Sequence, residues 1–197
     1  MPDRGGESDP DAGPERYLLT DPDVGLEQYF LTEPQALARL VEAAGVLPDD
    51  HVVEVGAGIG TVAAALPPSR RLTLVELDPR LARVLAVRFP HAQVICGDAV
   101  DFLSRGRGAE IDVLLSNLPA AVNEVVVELL PRLPFRTAVL ALGQAAVVPP
   151  IPSSASEDVG TAAAAGLFWE DRGLLAGTDF RPVQPAPSRL VRVRRRG

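Results

Sequence analysis

Short apolar strands that alternate with helical segments are the feature that most constrains the fold of this chain. Nearly all-apolar runs predict strands at residues 51–56, 72–77, 92–98, 111–117 and 136–143. The segments that follow the first four predict helices, at residues 60–66, 79–89, 99–103 and 120–133. Strands that are apolar on both faces and alternate with helices are typical of a parallel sheet covered on both sides. We therefore predict an α/β fold with a mostly parallel sheet.

The two ends of the chain differ from this middle part. Residues 1–24 are rich in Pro, Gly and Asp, and we expect a disordered acidic arm ahead of a single domain at 25–197. Thr32 is a candidate N-cap for a helix that starts at Pro34 and ends at Gly45. Residues 147–160 read as a loop and 161–169 as a helix. Extended segments at 174–183 and 188–194 then predict a late antiparallel hairpin.

Composition narrows the class of protein further. The 197 residues suffice for one ordinary core, and neither a membrane-spanning stretch nor a secretory signal is expected, so a cytoplasmic protein is the default. Cys96 lies in an apolar run and is read as an inert core thiol rather than a nucleophile. No metal site is expected.

Charge bears on the choice of partner. The net charge of −7 makes the chain a poor general binder of nucleic acid. The exception is a basic C-terminal segment, in which six arginines could contact phosphates: Arg181, Arg189, Arg192, Arg194, Arg195 and Arg196.

A glycine-rich turn joins the first strand of the predicted sheet to the next helix. Gly56, Gly58 and Gly60 allow a sharp turn and a close approach of backbone to ligand, although a tight turn without a ligand would look the same. Glu76 ends the second strand, 18 residues beyond Gly58, near the spacing at which an acid reaches ribose hydroxyls. Asp98 ends the third strand, where it could accept a hydrogen bond from an adenine amine.

The order of these residues favours S-adenosylmethionine over a dinucleotide. NAD binding would want a third glycine where this chain has Thr61, and Asp98 has no standard dinucleotide role. The fourth strand ends at "SNLPA", where Pro119 stops the strand and leaves the Asn117 amide at its tip. Asn117 either positions a reacting group or caps the following helix.

These motifs together resemble those of the ribosomal RNA adenine dimethyltransferases, the family of dimethyladenosine transferases and erythromycin-resistance methylases. "LEQYFL" is similar to the family's opening G-Q-N-F-L, and "SNLPA" stands where the family has N-L-P-Y or N-I-P-F. "VEVGAGIGTVAAAL", "VELDPRLARVL" and "GDAVDF" look like its cofactor loop, ribose-binding strand and adenine-binding turn. "DVGTAAAAGLFW" resembles its Y-G-x-L-S helix, and "DFRPVQPAPSRLVRVR" its Pro-rich hairpin. The likeness covers about residues 25–195, so we expect the family's small C-terminal helical domain to be absent.

The resemblance implies a Rossmann-like methyltransferase fold, S-adenosylmethionine as cofactor and an adenine amine in rRNA as acceptor. It assigns acceptor binding and catalysis to Asn117, Leu118, Pro119 and Phe180. It assigns the cofactor to a second set: Gln28, Tyr29, Phe30, Gly56, Ala57, Gly58, Glu76, Leu77, Asp98, Ala99 and Asn117.

Two departures from the family keep the acceptor open. Ala120 replaces the aromatic ring that stacks on the flipped base, an interaction worth about 1–3 kcal/mol per base. Tyr29 replaces the asparagine of the opening motif. Three hypotheses follow: N6-methylation of adenine in rRNA, N-methylation of a small amine, natural-product intermediate or phospholipid headgroup, and a degenerate methyltransferase fold that only binds a partner.

Overall fold

The computed structural model describes residues 28–106, 110–143 and 166–195. Within these ranges a seven-stranded sheet has the order β4-β3-β2-β5-β6-β9-β7. A separate two-stranded sheet pairs β1 with β8. The strands are β1 (Phe30–Leu31), β2 (His51–Val55), β3 (Arg71–Glu76), β4 (Gln93–Cys96), β5 (Val113–Ser116), β6 (Thr137–Gly143), β7 (Leu167–Leu175), β8 (Phe180–Arg181) and β9 (Ser188–Arg195).

The five strands predicted from apolar runs form the parallel part of this sheet. Every residue of β2 and β5 is buried, because helices cover both faces of the sheet at its centre. The strand order reverses beside β2, since β3 and β4 lie on one side of it and β5 and β6 on the other. In open α/β sheets, ligands bind at the carboxyl ends of the strands near such a switch point.

The helices are α1 (Pro34–Ala44), α2 (Thr61–Ala65), α3 (Pro79–Arg88), α4 (Ala99–Ser104) and α5 (Ala120–Leu129). One face of the sheet carries α1, α2 and α3, and the other face carries α4 and α5. The predicted helix at 120–133 changes into a 3-10 turn at Leu130–Arg132. None of the helices in the described ranges is both long and apolar enough to cross a membrane.

Helix α1 begins at Pro34 and ends before Gly45, as predicted, but its N-cap is Glu33 rather than Thr32. The Glu33 carboxylate accepts a hydrogen bond from the Ala36 N–H at 2.7 Å. The Thr32 N–H instead donates to the Asp179 carbonyl at 2.9 Å. Thr32 therefore joins the segment before α1 to the segment before β8, and Glu33 caps the helix.

The antiparallel addition to the sheet is confirmed, but its first strand lies earlier than predicted. Strand β7 runs from Leu167 to Leu175, so the predicted helix at 161–169 is wrong for Leu167–Trp169; residues 161–165 lie outside the described part. Leu167 and Trp169 are buried and Phe168 between them is exposed, which is the alternation of a strand. Pairing with β9 decides this conformation.

Two further expectations concern single places in the chain. Cys96 is exposed, so its reading as a core thiol is wrong: it ends β4, which has a neighbour in the sheet on one side only. The acidic arm at 1–24 and the loop at 147–160 lie outside the described residues. Clusters of three or more metal-binding side chains are absent from the described ranges.

Candidate active site

A cavity of about 630 Å³ opens along the carboxyl edge of the parallel strands. The loops that follow β2, β3, β4 and β5 line it, together with the N-terminal segment at 28–31 and the turn that precedes β9. Every residue that the resemblance assigned to the cofactor borders this one cavity: Gln28, Tyr29, Phe30, Gly56, Ala57, Gly58, Glu76, Leu77, Asp98, Ala99 and Asn117. Leu118 and Pro119 line it as well.

The glycine loop is shaped by close contacts that leave no space for side chains. Gly56 and Gly58 have φ angles of 72° and 57°, in the left-handed region that favours glycine. A Cβ atom added at Gly58 would lie 2.7 Å from Phe30 Cε1. One added at Gly56 would collide with Leu118, in the loop after β5. The two glycines thus allow three separate segments to meet around the cavity.

Glu76 joins two of the loops at the cavity wall. Its Oε2 accepts a hydrogen bond from the Gly58 N–H at 2.7 Å, and its Oε1 accepts one from the Asp78 N–H at 2.9 Å. Burial raises the pKa of this carboxyl, while the hydrogen bonds from the two loops act in the opposite direction. Each oxygen still has a lone pair for a ligand hydroxyl.

Glu54 is a site residue that the sequence reasoning missed. It lies on β2, lines the cavity and is 4% exposed. Its Oε2 has no hydrogen-bond partner among the described residues. Burial, and next the nearby Glu76, raise the pKa of Glu54 to about 8. A charged residue in the otherwise apolar run "HVVEVG" was the available signal, because a carboxyl group at such a position is costly without a partner.

Asp98 ends the loop after β4 on the same side of the cavity as Glu76. It is exposed, and its Oδ1 accepts a hydrogen bond from the Asp101 N–H at 2.8 Å, which caps helix α4. A carboxylate has further lone pairs and a second oxygen, so this cap leaves acceptor capacity on the cavity side. Asp98 can therefore cap a helix and accept from a ligand amine.

Asn117 does not cap the helix that follows it. The N-cap position of α5 is Pro119, and no side chain caps this end. The Asn117 Nδ2 instead donates to the Tyr29 carbonyl at 3.3 Å, which joins the loop after β5 to the N-terminal segment. Its side-chain oxygen remains available to the cavity.

A buried amide beneath this loop was not predicted either. Asn123 is 1% exposed, and its Nδ2 donates to the carbonyls of Leu118 at 2.9 Å and Ala141 at 2.8 Å. Its Oδ1 accepts from the Ser116 hydroxyl at 2.6 Å. Asn123 therefore fixes the shape of the Asn117–Pro119 turn from below, and a polar residue on the buried face of α5 was the only sequence signal for it.

Phe180 lies elsewhere. Its side chain is fully buried, packs in the core beside α1 and does not line the cavity. The assignment of Phe180 to acceptor binding is therefore wrong in this structure, because pairing of β8 with β1 directs the ring inward. Ala120, in contrast, is exposed at the cavity and lies close to Gly143.

The C-terminal arginines are largely occupied within the protein. Arg189 pairs with Asp171, and Arg194 donates to Glu170 at 2.6 Å. Arg192 lies 3.9 Å from Glu170. The remaining described members bond to backbone carbonyls: Arg195 to those of Leu130, Pro131 and Leu133, and Arg181 to those of Thr178 and Phe180. Arg196 lies outside the described residues.

A parallel sheet with this strand order, an antiparallel late addition and a glycine loop tied to an acid at the carboxyl edge defines a Rossmann-like methyltransferase fold. Comparison with known proteins narrows this class. Residues 24–106 match the model of the family described as ribosomal RNA adenine dimethylase. This family is therefore the one that the chain resembles in this part of the sequence.

Individual relatives show the same likeness. The chain is 36% identical over 172 residues to ribosomal RNA small subunit methyltransferase A of Thermobifida fusca, with 80% of this chain and 60% of the relative covered. The crystal structure of the 23S rRNA methyltransferase ErmE matches with a TM-score of 0.74 and 26% identity, over 85% of this chain and 70% of that one. A dimethyladenosine transferase from Plasmodium falciparum shares the fold, with a TM-score of 0.70, 20% identity and coverage of 85% and 63%. The chain spans 60% of the length of the Thermobifida fusca relative and 56% of that of a related protein from Methanosarcina mazei.

Proposed function

We propose that this protein is an S-adenosylmethionine-dependent methyltransferase that methylates the exocyclic amine of an adenine in rRNA. The observation that carries the proposal is the single cavity in which the glycine loop, Glu76, Asp98 and Asn117 meet. The names of the relatives, which are rRNA methyltransferases, supply the substrate class. A cytoplasmic location is part of the same proposal.

The residues around the cavity fit S-adenosylmethionine. Gly56 and Gly58 form a cradle that side chains would fill, Glu76 offers lone pairs for ribose hydroxyls, and Asp98 can accept from the adenine amine. The unpartnered Oε2 of Glu54 suits a cationic group such as the ammonium of the methionine part. When bound, S-adenosylmethionine supplies a methyl carbon activated by a positively charged sulfur.

The acceptor chemistry rests on positioning. An aromatic amine is a weak nucleophile because its lone pair is delocalised into the ring. The Asn117 oxygen can accept a hydrogen bond from the amine and direct its lone pair toward the methyl carbon, while Asn123 and Pro119 keep the turn rigid. Fixed alignment of this kind lowers the barrier by proximity. The buried carboxyl groups lie on the cofactor side, so no protein base is assigned to the amine.

RNA binding is the less constrained part of the proposal. Phosphate contacts fall to the arginines of the C-terminal segment, and in the described part these would have to exchange their present partners for phosphates. Ala120 favours a second candidate function, N-methylation of a small amine, because no ring from this position narrows the cavity or stacks on a base.

The test of the proposed function is transfer of a tritiated methyl group from S-adenosylmethionine into bulk rRNA and into a metabolite extract. Label in RNA adenine supports the proposal, and label confined to metabolites would establish the small-amine alternative. Ala120→Tyr should raise RNA labelling by adding a stacking face but should block a small-acceptor site. Failure to label either mixture would leave only a binding role.

Glu76→Gln tests the cofactor half of the proposal separately. We expect calorimetric affinity for S-adenosylmethionine to fall by at least about tenfold, because a neutral amide loses charge-assisted hydrogen bonds. Glu124→Gln, on the exposed side of α5, is the matched control and should bind like wild type. Unchanged affinity in Glu76→Gln at an unchanged melting temperature would contradict the assignment.

A further inference from the structure

The strand order divides the cavity into two chemically different ends, with Asn117 between them. The cofactor end follows β2, β3 and β4 and carries Glu54, Glu76 and Asp98. The acceptor end lies on the other side of β5, beside the end of β6 and the start of β9. It is lined by Ala120, Gly143, Gln184, Pro185, Ala186 and Ser188.

The acceptor end carries neither a charged side chain nor an aromatic ring among the described residues that line it. Uncharged surroundings disfavour a charged acceptor, since burial of an unpaired charge is costly. The two aromatic residues that line the cavity make contacts outside the acceptor end. Phe30 lies over Gly58, and Tyr29 packs partly against the core beside α1. The described lining of the acceptor end therefore offers hydrogen bonds and shape rather than stacking.

Gln184 is held rigidly at this end. Its backbone N–H donates to the Gly177 carbonyl at 3.0 Å, and its own carbonyl lies so close to Gly177 that a side chain there would collide with it. The Gln184 Nε2 donates to the Ser188 Oγ at 3.0 Å. Ser188 is 4% exposed and begins β9, where it pairs with Gly143 and Leu175. Gln184 is thus clamped both by its backbone and by its side chain.

The hydrogen bond to Ser188 leaves one Nε2 hydrogen and the Oε1 atom of Gln184 for a ligand. Nε2 carries two hydrogens, of which Ser188 takes one. The second hydrogen and the Oε1 atom have no partner among the described residues, and Gln184 is one of the residues that line the cavity. An amide donor matches a ring nitrogen that accepts beside an exocyclic amine, as adenine presents.

We propose that Gln184 is a specificity-determining residue of the acceptor site. Its clamped amide donates a hydrogen bond to the ring nitrogen next to the amine that is methylated. This deepens the proposed function and rests on it. A base with a protonated ring nitrogen at that position would meet the amide hydrogen with a second donor and would be rejected. The hydrogen bond from Gln184 would thereby help to hold the base, which the family's aromatic ring does by stacking at the position of Ala120.

The experiment pairs a change in the protein with a change in the base. Methylation by wild type and Gln184→Leu is measured on an rRNA fragment that carries adenosine, 1-deazaadenosine or 7-deazaadenosine at the target. We expect wild type to lose about tenfold in kcat/KM with one of the two analogues, because that analogue removes the acceptor of one hydrogen bond. Gln184→Leu should lose a similar factor with adenosine and nothing further with the same analogue.

Three controls separate this role from a structural one. Gln93→Leu, at the opposite edge of the sheet, should behave like wild type. Gln184→Glu retains an acceptor but loses the donor, so it should resemble Gln184→Leu. Calorimetric affinity for S-adenosylmethionine should stay at the wild-type value in all these variants.

The outcomes are distinguishable. If wild type labels RNA and Gln184→Leu discriminates between the analogues as wild type does, the inference about Gln184 is overturned and the proposed function stands. If wild type binds S-adenosylmethionine but labels no RNA, the proposed function fails, and the inference fails with it.

Discussion

Glu54 carries a carboxyl group into the interior of the molecule, on β2 and beside Glu76. Burial raises its pKa to about 8, with the neighbouring Glu76 as the second cause. The group is therefore protonated at neutral pH when no cation faces it. A cationic ligand beside the unpartnered Oε2 would favour the charged form and expel the proton. At the residue scale, cofactor binding and proton release are coupled through this side chain.

The coupling predicts the release of about one proton when S-adenosylmethionine binds at pH 7. Calorimetry in two buffers of different ionisation enthalpy measures this number directly. Glu54→Gln keeps the shape of the side chain and should release none. Identical proton release in wild type and Glu54→Gln would show that another group titrates.

The same pKa shift affects the stability of the ligand-free protein. The folded state keeps the Glu54 proton up to a pH of about 8, whereas the unfolded chain loses it near the ordinary value of 4.5. The unfolded state therefore binds fewer protons between these values, and stability falls as pH rises through this window. Denaturant unfolding at several pH values should show a smaller fall for Glu54→Gln. A fall of equal size in both proteins would contradict the assignment. Glu76 contributes in the same direction in both proteins.

At the scale of elements, the glycine loop depends on contact with the N-terminal segment. That segment is held by pairing of β1 with β8 and by the bond from Asn117 to Tyr29. Phe30 extends from it over Gly58. The loop therefore has its shape because an element distant in sequence packs against it.

Gly58→Ala tests this contact, and Gly106→Ala is its matched control. Both glycines have positive φ angles, 57° and 65°, so each substitution should cost about 1–2 kcal/mol in backbone strain. A Cβ atom at Gly106 meets nothing within 4 Å in the described part of the chain, whereas at Gly58 it meets the Phe30 ring. We expect only Gly58→Ala to weaken S-adenosylmethionine binding, by tenfold or more in calorimetry. Equal affinities of the two variants would show that the Phe30 contact is unimportant for the site.

At the scale of the whole molecule, acids on β7 offset the basic charge of β9. Glu170 lies opposite Arg192 in the pairing of the two strands and also contacts Arg194, while Asp171 contacts Arg189. A net charge of −7 adds long-range repulsion of any nucleic acid. The basic segment is thus less available to phosphates than its sequence suggests.

Glu170→Gln should make this surface more available. Release of Arg194 for one phosphate would steepen the salt dependence of RNA binding by about 0.7 log units per log unit of salt. Asp49→Asn makes the same change in net charge at an exposed position in the turn before β2, and should leave this slope unchanged. Fluorescence titrations of an rRNA fragment at several salt concentrations measure the salt dependence of RNA binding for both variants. Equal effects of the two substitutions would mean that only net charge matters.

The parallel strands, the helices between them and the loops at their carboxyl ends could all be predicted from the sequence. Apolar runs specify buried strands locally, and the carboxyl ends of parallel strands necessarily meet at one edge. For this reason Gly58, Glu76, Asp98 and Asn117 were expected at one site, and the structure brings them together.

The tertiary structure alone decided how side chains outside this pattern are used. The burial of Phe180 and Cys96 was predicted wrongly, because the burial of a strand residue depends on which strands are its neighbours. The sequence of the strand itself does not contain that information. The helix expected at 161–169 became part of β7 at Leu167 because pairing with β9 outweighed local preference. The arginines of β9 form ion pairs with the acids of β7 because the register of the two strands brings them together. Gln184 is held at the cavity by its contacts with Gly177 and Ser188. The pattern of apolar residues along the sequence therefore determined the parallel strands and the helices between them. Only the tertiary structure decided which polar side chains remain available for a ligand, because a hydrogen bond or ion pair between distant residues forms only once the chain has folded.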